Sequence, residues 1–376
     1  MNRNEVQEAQ VAVSERENMM ATKLQTAGAA WQAPVPAEAR NYPYNCWWVA
    51  AYSSEVGRDL LGRWLLDTPV LLYRTEEGRA VAIEDRCPHR GAPLSLGCLK
   101  GDNVQCGYHG FTFAPDGACI RVPSIDAALP AARIRSFAVI EQPPFVWIYL
   151  GDPQRMAEVP PPPQLEWQGM PGFKAVSGQM EIKANYMLLK ENVLDLTHFG
   201  YVHAKSFGIT DWVDPPKLTM DGERVGYHQS FSGSPLAPIF AEPLGLPAGT
   251  PFDRENYGWF VSPALQVAAV DFTDPATRQI VGRFRVTHAT TPVDATRMIY
   301  FYVIARDYGT SPAQMDALKV ETETGFAEDE MMIEALQALA LRDPRGSAAP
   351  EISIKADAPG IQARRMVQRW MERETQ

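Results

Sequence analysis

The chain has 376 residues, 45% of them apolar and 10% aromatic, which is enough to bury a sizeable core and excludes disorder throughout. Thirty-five basic side chains against 45 acidic ones leave a net charge of −10, so nucleic acid and anionic membrane are not expected as main partners. No apolar run approaches the ~18 residues that span a bilayer, and the polar start lacks the apolar stretch of a secretory signal, so a soluble cytoplasmic protein is expected.

Residues 1–39 read as a flexible leader, because the first part is rich in Gln, Glu, Asn, Arg and Ala without an apolar period. Over 40–151 short β-branched and aromatic runs follow one another: Trp47–Tyr52, Val70–Tyr73, Ala80–Ile83, Phe111–Phe113 and Phe145–Leu150. Turn signals such as Glu77-Gly78 and Asp116-Gly117 separate them, which predicts a small antiparallel β domain. Residues 152–172 form a connector stiffened by the consecutive prolines Pro160 to Pro163, which fit neither a helix nor a central strand.

The remainder, 173–376, has mixed texture. Met180–Ala184 alternates like a strand, and Asn185 is placed to cap a helix running to about Phe199. Strands are expected at Arg224–Phe231, Ala264–Phe272, Gln279–Thr287 and Met298–Ala305. A long helix covers Gln314–Leu341, and an amphipathic one covers Gly360–Glu374. A β-sheet flanked by helices, following a β domain, makes the fold class α+β.

Five cysteines are too few and too odd in number for a disulfide framework in a chain this long. Cys87-Pro-His89-Arg-Gly91 and Cys106-Gly-Tyr-His109-Gly110 instead bring together two thiols and two imidazoles. A single tetrahedral zinc takes such a set on one ion, whereas a [2Fe–2S] cluster takes the thiolates on one iron and the imidazoles on the other. Zinc modules usually pair like with like, and here each arm carries one of each, which favours the iron–sulfur cluster. Cys46, Cys98 and Cys119 complete no motif and are read as small core residues.

A second pair of histidines lies at His198 and His203. On a regular helix Asn192, Asp195 and His198 share a face, whereas His203 would point away unless Gly200 breaks the helix and swings it back. Two histidines with a carboxylate on one face of an octahedron suit a non-haem Fe(II) that activates O₂. The segment Phe326-Ala-Glu328-Asp329-Glu330 offers carboxylates within the long helix.

At these residues the chain resembles the Rieske non-haem iron oxygenases. Cys87-Pro-His-Arg-Gly and Cys106-Gly-Tyr-His-Gly-Phe111 look like the family's Rieske domain, with Phe111 where many members carry Trp. Asn192-x-x-Asp195-x-x-His198-x₄-His203 matches the family's second motif at every position. The resemblance implies a [2Fe–2S] cluster on Cys87, His89, Cys106 and His109, and a mononuclear Fe(II) on His198, His203 and Asp329. Glu328 and Glu330 are then left as solvent-facing. It also implies that Asp195 bridges one of the iron histidines to His109 of a neighbouring subunit in a head-to-tail homotrimer, with Asn192 as a supporting hydrogen-bonder.

The length, the proline linker and Ala184-Asn-Tyr-Met-Leu-Leu189 are most similar to the vanillate O-demethylase and dicamba monooxygenase branch. That branch implies a helix-grip (START-like) catalytic domain and oxidative dealkylation of a substituted aromatic. Ring hydroxylation and a non-enzymatic electron carrier with a ligand-binding domain are the alternatives. His288 resembles a substrate-facing position, with weaker support for His228; Arg283 and Arg285 could anchor a carboxylate. No dinucleotide fingerprint and no plant-type ferredoxin run occurs, so electrons are expected from a separate NAD(P)H-dependent reductase or ferredoxin.

Overall fold

The computed structural model describes residues 33–36, 39–209, 211–212, 214–222, 224–345 and 349–375. Most of the expected leader, 1–32 with 37 and 38, lies outside the described residues. Two compact units emerge, Tyr44–Pro162 in the first and Pro163–Gln376 in the second, to which residues 39–43 with Arg40 also belong.

The first unit is built from ten strands: β1 (Trp47–Tyr52), β2 (Leu61–Leu65), β3 (Thr68–Arg74), β4 (Ala80–Glu84), β5 (Cys98–Lys100), β6 (Asn103–Gln105), β7 (Thr112–Phe113), β8 (Cys119–Arg121), β9 (Ser136–Gln142) and β10 (Phe145–Tyr149). A six-stranded sheet runs β1-β10-β9-β4-β3-β2, and β5 to β8 form a separate four-stranded meander. Every pairing is antiparallel. Apolar runs buried along their whole length, such as Phe145–Tyr149, gave the strands visible in the sequence. The strands passed over are short or polar at their ends, as in β5, β6, β8 and β9. Leu71, Ile83, Leu94 and Phe113 form the core that also takes in Cys87 and Cys106. Cys46 and Cys119 are buried as expected, but Cys98 is exposed because it starts an edge strand of the small sheet.

The second unit carries β11 (Lys174–Ile182), β12 (Lys217–Asp221), β13 (Arg224–Pro235), β14 (Pro251–Ser262), β15 (Leu265–Thr273), β16 (Ile280–Asp294) and β17 (Arg297–Arg306). They make one antiparallel sheet in which β12 to β17 pair in sequence and β11 closes the far edge on β17. Strand β14 escaped the sequence reading because its inward positions include Arg254, Asn256 and Gly258, which break the apolar alternation.

Three helices pack on this sheet: α1 (Tyr186–Leu194), α2 (Pro312–Arg342) and α3 (Ala358–Glu374). Asn185 caps α1 by accepting from Met187 N at 2.8 Å, an arrangement worth about 1 kcal/mol. Ser311 and Gln314 form a capping box at the start of α2. Arg40, ahead of β1, pairs at 2.6 Å with Glu374 at the end of α3, both side chains being only 3% exposed. Among the described residues no helix is long and apolar enough to cross a membrane.

Candidate metal centres and the adjoining cavity

In the first unit two loops present the Cys–His pairs with the same backbone geometry. Cys87 N donates to Ala92 O and Gly91 N returns to Cys87 O; Cys106 N donates to Phe111 O and Gly110 N returns to Cys106 O. Gly91 and Gly110 both sit at φ +71°, a left-handed conformation that L side chains resist. The two sulfurs are buried at 2% exposure, while both imidazoles are exposed, their ring centroids 4.5 Å apart. His89 stacks on Phe111, so the residue that departs from the usual tryptophan still packs a ring against the histidine.

Burial pushes the Cys87 thiol up to about 11, and Cys106 beside it adds to the rise. Two thiolates held side by side out of water are unfavourable on their own, and a metal cluster that shares their charge removes that penalty. The donor set therefore fits a [2Fe–2S] cluster.

In the second unit α1 stops earlier than expected. Asp195, at φ −115° and ψ 102°, leaves the helix, and its carboxylate caps the next turn, Leu196–His198, by accepting from Thr197 N at 2.8 Å. The break thus falls at Asp195 rather than at Gly200, which lies inside the one-turn helix Phe199–Val202. A short polar side chain that satisfies the next turn's N–H ends a helix as effectively as a glycine does. The reversal brings both imidazoles to one side, against Asp329 from the middle of α2.

The ligand atoms of His198, His203 and Asp329 all lie within 4.8 Å of one another. His203 Nε2 is 3.2 Å and His198 Nε2 3.6 Å from Asp329 Oδ1. His203 Nε2 is buried and makes no aligned hydrogen bond among the described residues. An orphaned imidazole nitrogen converging with a second one on a carboxylate fits a metal ion.

Each of these three side chains is held from behind. His198 Nδ1 contacts the Asp195 carbonyl oxygen, and Asn192 Nδ2 donates to Asp329 Oδ1 at 2.9 Å. His203 Nδ1 lies 2.9 Å from Glu328 Oε2, which also accepts from Ser206 Oγ at 2.6 Å. Glu328 is therefore not the solvent-facing residue the sequence suggested; only its neighbour's role as a ligand candidate had been readable. Burial depresses the His198 pKa against the pull of Asp329. On His203 burial is outweighed by Asp329 and Glu328, which raise it.

Beside this group lies a cavity, part of it open to solvent. Its floor is the sheet and its roof is α1 and α2: Asn256, Val270, Phe284, His288 and Tyr300 face Asn192, Val193, Phe326 and Asp329. His288 is buried, bonds Tyr300 Oη through Nδ1 at 2.7 Å, and is pushed down to about 3 by burial and then by Lys190, so it is neutral. His228 instead pairs with Glu255 at 2.7 Å, both about half exposed. Arg283 and Arg285 are engaged by Asp307 and Asp271 and do not line the cavity.

A β domain carrying paired Cys–His loops, followed by a sheet-and-helix domain with a two-histidine, one-carboxylate group at an apolar cavity, defines a Rieske-type oxygenase. The sequence comparisons agree: residues 46–140 match the Rieske [2Fe-2S] domain, and residues 182–373 match the vanillate O-demethylase oxygenase C-terminal domain. The chain belongs to the vanillate O-demethylase branch of the Rieske non-haem iron oxygenases, and it is a monooxygenase whose cofactors are a Rieske [2Fe–2S] cluster and a mononuclear non-haem iron.

It is 33% identical over 347 residues to the iron-sulfur subunit of the toluene-4-sulfonate monooxygenase system of Comamonas testosteroni, covering 88% of this chain and 97% of that one. With the oxygenase component of dicamba O-demethylase of Stenotrophomonas maltophilia it shares 34% over 300 residues, 78% of this chain and 87% of the other. The crystal structure of dicamba monooxygenase bound to 3,6-dichlorosalicylic acid superposes with a TM-score of 0.82 at 27% identity, over 88% of this chain and 98% of that chain.

Proposed function

We propose that this chain is the terminal oxygenase component of a multicomponent system that oxidatively dealkylates a substituted aromatic compound at oxygen or nitrogen. The observation that carries the reading is the cavity itself, walled by aromatic rings and reaching His198 and Asp329. Relatives named as oxygenase components of vanillate O-demethylase and dicamba O-demethylase support it. In this reading Cys87, His89, Cys106 and His109 hold the cluster, and His198, His203 and Asp329 hold the mononuclear iron. When bound, the two groups supply electrons and O₂ activation.

The protein's own part is positioning. Asn192 fixes the Asp329 carboxylate, Glu328 fixes the tautomer of His203, and the Asp195 carbonyl fixes His198. Phe199, Phe326 and Tyr300 exclude water from the reacting carbon, and neutral His288 offers the substrate a hydrogen bond without a charge. Electrons come from a separate NAD(P)H-dependent reductase or ferredoxin, since the sequence has no dinucleotide fingerprint. The working assembly is a cytoplasmic homotrimer whose head-to-tail interface sets Asp195 against His109 of a neighbouring copy.

The test supplies the purified protein with NADH and a surrogate reductase, together with alkoxy- and N-alkyl-arenes. Formaldehyde or another aldehyde released in step with the phenol or amine supports dealkylation. A hydroxylated product that keeps every carbon makes the enzyme a hydroxylase instead. Iron at about two atoms per chain with no turnover reduces it to an electron carrier.

A further inference from the structure

Asn256 is the most conspicuous polar side chain in the cavity wall. It is 1% exposed, sits on the inward face of β14, and neither its Oδ1 nor its Nδ2 has a hydrogen-bond partner among the described residues. An amide buried against apolar walls with both ends idle is unfavourable unless something that enters the cavity satisfies it.

Two neighbours share the condition. Trp212 also lines the cavity, is buried, and its indole Nε1–H is idle among the described residues. Arg254 lies two residues before Asn256 on the same strand face, its guanidinium 6.0 Å from the Trp212 ring and 4.3 Å from that of Phe231. Its Nη2 pairs with Asp211, but Nε and Nη1 are buried with no partner among the described residues. The idle N–H donors, Asn256 Nδ2, Trp212 Nε1 and Arg254 Nε and Nη1, thus outnumber the idle acceptors at this end of the sheet, Asn256 Oδ1 and the Oε1 of Gln229 opposite it on β13. An oxygen-rich, acceptor-only group is the complement of such a set.

We propose that Asn256 and Trp212, backed by Arg254, form the subsite that receives an oxyanion substituent, carboxylate or sulfonate, on the aromatic substrate. The subsite rests on the dealkylation reading only for its choice of probes. Asn256 comes from the sheet floor, whereas His198 and Asp329 come from the helical side. Anchoring the oxyanion on the floor leaves the alkyl substituent at another ring position free to face the metal ligands.

The experiment is calorimetric titration of the full chain, both centres loaded and O₂ excluded, with 4-methoxybenzoate, 4-methoxybenzenesulfonate and anisole. The wild type should bind one of the two anions roughly ten-fold or more tighter than anisole. Asn256→Leu and Trp212→Phe should each remove most of that preference and leave anisole affinity within about two-fold. Equal affinity for anions and anisole, no binding of either anion, or an unchanged preference in the variants overturns the proposal. Trp212→Phe keeps the ring and decides the matter if Asn256→Leu does not fold.

Whichever anion binds tighter identifies the substituent. Formaldehyde release from the same methoxyarenes is scored separately. Release with an unaltered preference in the variants sinks the subsite alone, and a lost preference without release sinks the dealkylation reading alone.

Discussion

Glu328 Oε2 lies 2.9 Å from Nδ1 of His203, 125 residues away in the chain. A carboxylate at that nitrogen keeps the proton on Nδ1 and turns the Nε2 lone pair toward Asp329, which is the tautomer a metal requires. Glu328→Ala should lower affinity for the mononuclear iron by about 10–100-fold while the visible absorption of the cluster stays unchanged. Glu328→Gln keeps an acceptor oxygen and should lose less. Metal analysis decides it: the alanine variant should fall from about three iron atoms per chain to about two, and full occupancy would show that Glu328 has no hold on the site.

Asp195 offers a second test because its local duty and its proposed bridging duty are separable. Its carboxylate caps the turn Leu196–His198, and its carbonyl oxygen holds His198. Asparagine caps a helix about as well as aspartate, so Asp195→Asn should fold and keep both metals. Turnover with the reductase should nevertheless drop by about 100-fold or more, because the lost negative charge no longer joins two imidazoles. Normal product formation would remove the bridge from the account.

His288 supplies the pH dependence. Its folded pKa is near 3 against an ordinary 6.5, so the unfolded chain takes up a proton on acidification that the folded chain refuses. Stability from this residue is complete above pH 6.5 and declines as pH falls toward 3. At about 1.36 kcal/mol per pH unit, the loss between pH 6.5 and 5 is about 2 kcal/mol. Melting curves at pH 7 and 5 should therefore show a larger drop for the wild type than for His288→Asn, and parallel drops would refute the assignment.

Gly325 sits on α2 where a Cβ would run into the ring of Phe207, which in turn lies 4.9 Å from the His203 ring. Gly325→Ala should destabilise the protein by about 1–3 kcal/mol through this overpacking, despite alanine's better helix propensity. A higher melting temperature in the variant would mean that Phe207 has room to move.

What the sequence revealed depended on how local the signal was. Cys87, His89, Cys106 and His109 are close enough in the chain for their spacing to favour an iron–sulfur cluster over zinc, whereas for Asn192, Asp195, His198 and His203 the reading came from the resemblance to the family motif, since spacing alone points His203 away from the helix face. Glu328 was not legible, because in three consecutive acidic residues nothing local says which faces the site. The face of α2 is also hard to read when Val320, Met331 and Leu336 are exposed and Asp329 is buried. Asn256 and Arg254 were missed for a related reason: on an alternating strand, polar residues are assigned to the solvent side, and here β14 turns them inward.

The capping box at Ser311 fixes where α2 begins, and Asp329 follows on an unbroken screw of backbone. Each residue on such a screw advances by about 100°. Deleting one position anywhere between cap and carboxylate would leave a helix of nearly the same stability and carry the aspartate round to a face where neither histidine can meet it. The spacing from Ser311 to Asp329 should therefore tolerate substitutions but no change in length.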